Sequence, residues 1–181
     1  GAPEYVLLNR YDDYTDIYDR YSDRGERIIV FGECQTDPCG NAIEEPVIPY
    51  AFIILENEIR DTAKETFGYF EKQGVDVVVI SGDNPVTASK VAIRAGIRNA
   101  ENYVDATTLK SEDDIKAAIQ RYTVFGRVIP EQKKQIIQAF KQAGRVVAMT
   151  GDGVNDVLAL KCADCSVAMA SGSDTASNAA Q

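Results

Sequence analysis

The sequence contains no histidine, so any chemistry it performs must run on carboxylates, lysine, hydroxyls and backbone amides. The same absence limits metal binding. A zinc site would need all four cysteines, Cys34, Cys39, Cys162 and Cys165, to converge as thiolates. Their CxxxxC and CxxC spacing favours the plainer reading, two loop thiols and two helix-end thiols, and a chain of 181 residues neither demands nor forbids disulfides. Also missing are a signal-peptide pattern and any apolar run near the roughly 20 residues that span a bilayer. The chain as it stands therefore reads as soluble and intracellular. Basic charge is in deficit, with 19 basic against 28 acidic side chains and a net charge of -9, which argues against nucleic acid as the main partner. Part of the acidic surplus, Asp12, Asp13 and Asp16, reads as a solvated helix face. There is no internal repeat and no low-complexity linker.

What is present is ordinary globular material, 45% hydrophobic and 26% charged, enough for one good core or one domain with an appendage. Tyr11, Tyr14, Tyr18 and Tyr21 recur at helical spacing, which predicts an aromatic packing face. A short strand over 27–31 and a turn-rich loop over 35–41 follow, and Glu44, Glu45 and Pro46 close the segment. From Val47 the pattern turns regular. Strands are predicted over 47–55, 75–81, 123–128, 145–150 and 166–170. Helices are predicted over 58–73, 85–95, 111–120, 130–143 and 155–163. The apolar runs VDVVVIS and RVVAMT suit a sheet buried on both faces. Strands alternating with helices predict an α/β fold with a doubly wound, mainly parallel, Rossmann-like sheet.

In such sheets ligands bind beyond the carboxyl ends of the strands. Three of those ends carry polar residues here: Ser81-Gly82-Asp83-Asn84, Thr150-Gly151-Asp152-Gly153, and Arg127 with Lys133. Glycine after a strand lets amides approach an oxyanion, and a helix amino terminus favours negative charge. Ser81 can donate a hydroxyl, Lys133 can supply the positive charge a phosphoryl group needs, and Asp152 can hold magnesium. Each piece has a plainer reading. Ser81-Gly82-Asp83 can be a turn and helix cap, Lys133 a solvated helix residue, and Asp156 a complement to its helix dipole. Their recurrence at successive strand ends favours the site.

The order of GAPE, ENEIRD, SGDN, GRVIPEQK and MTGDGVNDVLALK resembles the cytoplasmic part of a P-type cation-transporting ATPase, a member of the haloacid dehalogenase-like superfamily. The resemblance covers nearly the whole chain. It implies that residues 1–45 are the C-terminal part of a nucleotide-binding domain. Residues 46–181 would be a phosphorylation domain without the strand that bears the phosphorylated aspartate. It implies a catalytic set of Lys133, Ser81, Gly82 and Asp156, with Asp152 as magnesium ligand. Arg27, Asp83, Arg127 and Asn155 would serve the nucleotide and phosphate. ATP and Mg2+ would be the substrate and cofactor, and the transported cation a partner of the whole protein. Transmembrane helices outside this chain would hold it at the cell membrane, facing the cytoplasm.

Some features depart from the family pattern. No DKTGT motif with its nucleophilic aspartate occurs, and the lysine of the KGAPE motif would precede Gly1. SGDN stands for TGDN, Asn57 for an aspartate, and MASGSDTA for MGxGTD. The last form is similar to a bacterial subgroup associated with calcium transport. Two alternatives stay open: a free-standing phosphatase of the same superfamily, for which Asp12-Asp13 is the early acidic cluster, and a binding module using the tyrosine face or the cysteines. If the nucleophile strand is missing, the strands ending at Ser81 and Thr150 should flank a gap. Direct pairing, a separate upstream polypeptide or strand exchange in an oligomer could close it.

Overall fold

The computed structural model describes residues 1–34, 43, 45–56 and 58–180. The loop expected at 35–41, with Cys39, and the positions Glu44 and Asn57 lie outside the described residues.

The tyrosine stripe starts as a 3-10 turn, Leu8–Tyr14, and continues as α2, Thr15–Ser22, after a short α1, Pro3–Val6. The helix type changes at Tyr14, but the three-residue step from Tyr11 to Tyr14 eclipses in a 3-10 helix, and the four- and three-residue steps on to Tyr18 and Tyr21 share one face of an α-helix. Tyr11 stacks on Tyr18 at 4.6 Å between centroids, and Tyr14 tilts against Phe52 at 5.2 Å. The stripe is thus a packing face. It covers a core of Val6, Leu7, Tyr18, Ile28, Val30 and Val47. The Tyr18 hydroxyl is buried without a hydrogen-bond partner among the described residues, and burial pushes its pKa well above the ordinary value. Asp12, Asp13 and Asp16 face solvent, as expected.

Strand β1, Arg27–Glu33, pairs antiparallel with β2, Ile48–Leu55, with a bulge at Phe31/Gly32 that accommodates Pro49. The strand expected at 47–55 therefore completes this first body instead of opening the parallel sheet, and the antiparallel pair runs past the expected division at 45/46. From sequence alone the alternation of elements hid this, because the partner strand is separated by the residues between Glu33 and Ile48.

The second body alternates as predicted. It comprises α3 (Ala63–Lys72), β3 (Val79–Ile80), α4 (Pro85–Ala95), β4 (Tyr103–Asp105), α5 (Glu112–Ala118) and β5 (Val124–Gly126). It continues with α6 (Pro130–Gln142), β6 (Ala148–Gly151), α7 (Val157–Cys162), β7 (Cys165–Ala168) and α8 (Asp174–Ala179). Helix α3 starts later than expected, at Ala63, and residues 58–62 before it are not helical. Helix α4 is capped by Asn84, whose side chain accepts from the Val86 amide, and ends at Gly96. Strand β4 and helix α8 had no signal strong enough to be read.

All sheet pairs of the second body are parallel, in two separate pieces, β3-β5-β4 and β6-β7. Among the described residues β3 and β6 share no ladder, so direct pairing does not close the gap. The ladders of β3 and β6 are shorter than the apolar runs predicted. A strand is hydrogen-bonded only as far as its partner extends, and β5 and β7 are short. One core of Phe125, Val128, Ile115, Ile119 and Ile136 lies under the first piece. A second, of Ile137, Met149 and Leu160, lies under the other, and Ile80 packs against both. Burial on both faces is not met in β6-β7: Met149 and Ser166 are buried, but Val167 is 51% exposed, and Val146, just before β6, is 89% exposed. No helix of the described residues is long and apolar enough to cross a membrane.

Candidate active site

The carboxyl ends of β3 and β6 and the first turn of α6 line an open cleft of about 300 Å³. Ser81, Gly82, Lys133, Thr150, Asp152 and Asp156 supply its polar wall, and Ile80, Met149 and Met169 its apolar one. The cleft sits at the gap in the sheet, where an α/β fold places its ligands.

Its most shielded feature is an ion pair. Lys133 Nζ donates to Asp156 Oδ1 at 2.7 Å, with side chains only 12% and 9% exposed. Asp156 Oδ2 accepts from the amides of Asp152 at 3.2 Å and Gly153 at 3.1 Å, so one carboxylate ties α6 to the loop after β6. Burial works to raise the Asp156 pKa. The Lys133 ammonium and the two amides outweigh it and hold the carboxyl below its ordinary value. The plain reading of Asp156 as a mere dipole complement falls short, and Lys133 is no solvated helix residue.

Close packing explains two glycines here. A Cβ on Gly151 would lie 2.6 Å from Asp156 Cβ, and one on Gly172 would lie 2.7 Å from the Asp152 carbonyl oxygen. Gly172 lets the loop after β7 fold back, with the Ser173 amide donating to Asp152 O at 2.8 Å.

Ser81 takes both of its readings. Its Oγ accepts from the Asp83 amide at 3.1 Å, making the turn, and its residue lines the cleft with Gly82. The Asp152 carboxylate is exposed and has no hydrogen-bond or ion-pair partner among the described residues. Magnesium prefers one or two carboxylates with phosphate and water oxygens. Asp152 fits that habit, whereas Asp156 is committed to Lys133. No group of three histidine, cysteine or carboxylate side chains that could hold a metal occurs among the described residues. Asn155 is exposed on the same loop but does not line the cleft.

Arg27, Asp83 and Arg127 lie beside the cleft, where the two bodies meet. Arg27 Nη1 is 3.3 Å from Asp83 Oδ1. Arg127, in the left-handed backbone region at φ 53°, donates from Nη1 to Asp105 Oδ2 at 2.8 Å and from Nη2 to Glu4 Oε1 at 3.1 Å. In the sequence Glu4 stands out only as the end of GAPE, with no role as a partner of Arg127, and Asp105 does not stand out at all. Asp105 ends the unread strand β4, and Glu4 sits 123 residues from its partner.

Residues 6–164 match the model of the haloacid dehalogenase-like hydrolases. The chain belongs to that family. The chain is 41% identical over 95% of its length to "Probable cation-transporting ATPase exp7" of Streptococcus pneumoniae, spanning 22% of that protein. It is 41% identical over its whole length to "Calcium-transporting ATPase CtpE" of Mycobacterium bovis, again spanning 22%. Among solved structures, a zinc-transporting PIB-type ATPase in its E2.Pi state superposes with a TM-score of 0.59 at 22% identity, over 93% of this chain and 22% of that one. The catalytic domain of the CPx-ATPase CopB-B superposes with a TM-score of 0.55 at 27% identity, over 76% and 44%. The haloacid dehalogenase-like fold and the kinship with ATPase cytoplasmic domains expected from the motifs are both borne out.

Proposed function

We propose that this chain is a cytoplasmic part of an ATP-driven P-type cation pump that works through an aspartyl-phosphate, and that the nucleophile arrives on a strand lying between β3 and β6. The carrying observation is the cleft itself, a phosphate-type constellation built at the carboxyl ends of two strands that do not pair with each other. Of the two carboxylates lining it, Asp156 is bound to Lys133, and Asp152 stands free for a cation.

The residues divide the work by chemistry. Lys133 neutralises charge on a phosphoryl group, and the Ser81 hydroxyl with the Gly82 amide donates to its oxygens. Asp156 holds Lys133 and the Asp152 loop in register. Asp152 would hold magnesium, which when bound neutralises phosphate charge. Arg27, Asp83, Arg127 and Asn155 serve the nucleotide side. The division into a nucleotide-binding part and a phosphorylation part then falls after Leu55, where β1-β2 ends. The whole protein would sit in the cell membrane with this part facing the cytoplasm. Calcium is the cation we favour, on the MASGSDTA motif and on relatives named for calcium transport.

A free-standing phosphatase has no support from the site, since Asp12 and Asp13 face solvent on the first body and do not line the cleft. The test is phosphoenzyme formation from ATP in the longer protein. Asp152→Asn should abolish it and Lys133→Ala should impair it. Normal labelling in both variants would refute the reading.

A further inference from the structure

Among the described residues the two bodies share no hydrophobic cluster: the core under the tyrosines contains no residue of the sheet body beyond β2. Buried Gly25 packs so closely on α4 that a Cβ there would lie 3.2 Å from Lys90 Cβ, Arg94 Nη1 donates to the Arg24 carbonyl at 3.3 Å, and ion pairs add to these contacts. Arg27–Asp83 at 3.3 Å, Lys90–Asp23 at 3.9 Å and Arg94–Glu56 at 3.1 Å are all well exposed, which makes each a weak and salt-sensitive tie. Glu4–Arg127 is different, with side chains only 27% and 25% exposed.

The two acceptors on Arg127 are unequal. Asp105 is anchored, since its Oδ1 also accepts from the Thr107 amide at 2.9 Å and the Thr107 hydroxyl at 2.6 Å. Glu4 has no second partner among the described residues and rides on the other body. One cation between two carboxylates leaves the cluster with net negative charge, so an incoming anion must contend with Glu4. We propose that Glu4 is the releasable half of an ionic latch on Arg127. It closes the first body onto the end of the β3-β5-β4 sheet until a phosphate-bearing ligand, a nucleoside diphosphate, takes its place. The latch rests on geometry alone, whereas the exchange rests on the proposed nucleotide role of Arg127.

Two readouts separate these parts. Backbone residual dipolar couplings of the chain at low salt should fit one alignment tensor for both bodies. In Glu4→Gln the two bodies should need separate tensors, and raising salt on the unaltered chain should loosen them likewise. ADP titrated without metal should bind Glu4→Gln about threefold more tightly, the effect of removing one charge roughly 6 Å away in a water-like dielectric. A single tensor for Glu4→Gln, insensitive to salt, would overturn the latch. Equal ADP affinity, with the Arg127 amide shifting in both proteins, would overturn the exchange. Absence of any ADP-induced shift at Arg127 in either protein would refute the nucleotide role and the exchange with it, while the couplings still decide the latch.

Discussion

Replacing Lys133 by methionine keeps an unbranched side chain as far as Cε and removes the ammonium that faces Asp156. The structure sets the magnitude. Asp156 is 6% exposed and retains two amide donors, so the variant leaves a buried carboxylate partly but not fully satisfied. Removing one partner of a buried pair costs about 3–5 kcal/mol. The surviving amides and the open side of the cleft place this case near about 3 kcal/mol. In urea, with an m-value of about 2 kcal/mol/M, the midpoint should fall by about 1.5 M at neutral pH. The pH dependence follows from the depressed Asp156 pKa. A carboxyl depressed in the folded state contributes fully above its unfolded pKa of about 3.9, and the contribution is lost as pH falls through the folded value. The gap between the parent chain and Lys133→Met should therefore be widest above about pH 5 and narrow in acid, as the unpaired carboxyl of the variant takes up its proton. Urea melts at a series of pH values measure both. A loss below about 1 kcal/mol at neutral pH, or a gap that stays constant into acid, would refute this account of the pair.

Other substitutions probe separate claims. Gly151→Ala should cost about 2 kcal/mol or more, since its Cβ meets Asp156 and the loop must shift; a neutral urea midpoint would contradict that packing. Tyr18→Phe should stabilise by about 1 kcal/mol, because it removes a buried hydroxyl with no partner among the described residues; a loss of stability would show that the hydroxyl is hydrogen-bonded. Asp152→Asn should leave the urea midpoint within about 0.5 kcal/mol of the parent, since its carboxylate is exposed and unpaired. A large destabilisation would give Asp152 a structural role instead of a metal-binding one.

Much of the second body could be read from residues because local chemistry marks it. Asn84 and Gly96 bracket α4, Pro130 opens α6, and glycine-aspartate pairs follow two strands. Long-range pairing could not be read. Strand β2 has the apolar pattern of a parallel strand but pairs with β1, from which the residues between Glu33 and Ile48 separate it. Residues 75–78 look like strand, yet no ladder forms there because the neighbouring strand is too short. The site followed the same division. Ser81, Lys133, Asp152 and Asp156 announced themselves at strand and helix ends, and the structure brings them into one cleft. The partners of Arg127 did not, since Glu4 is remote in sequence and Asp105 closes a three-residue strand.

The central claim is that the gap between β3 and β6 receives a strand from a preceding segment. The Val79 and Ser81 amides donate to β5, and the carbonyls of Val147 and Gly151 accept from the β7 side. Alternation along each strand therefore aims the amides of Ile80, Ala148 and Thr150 into the gap. Hydrogen exchange at these three amides tests the claim directly. They should exchange rapidly in this chain and become strongly protected in a longer protein that includes the segment proposed to carry the nucleophile strand. Equal exchange in the two proteins, or full protection in this chain by itself, would contradict the claim.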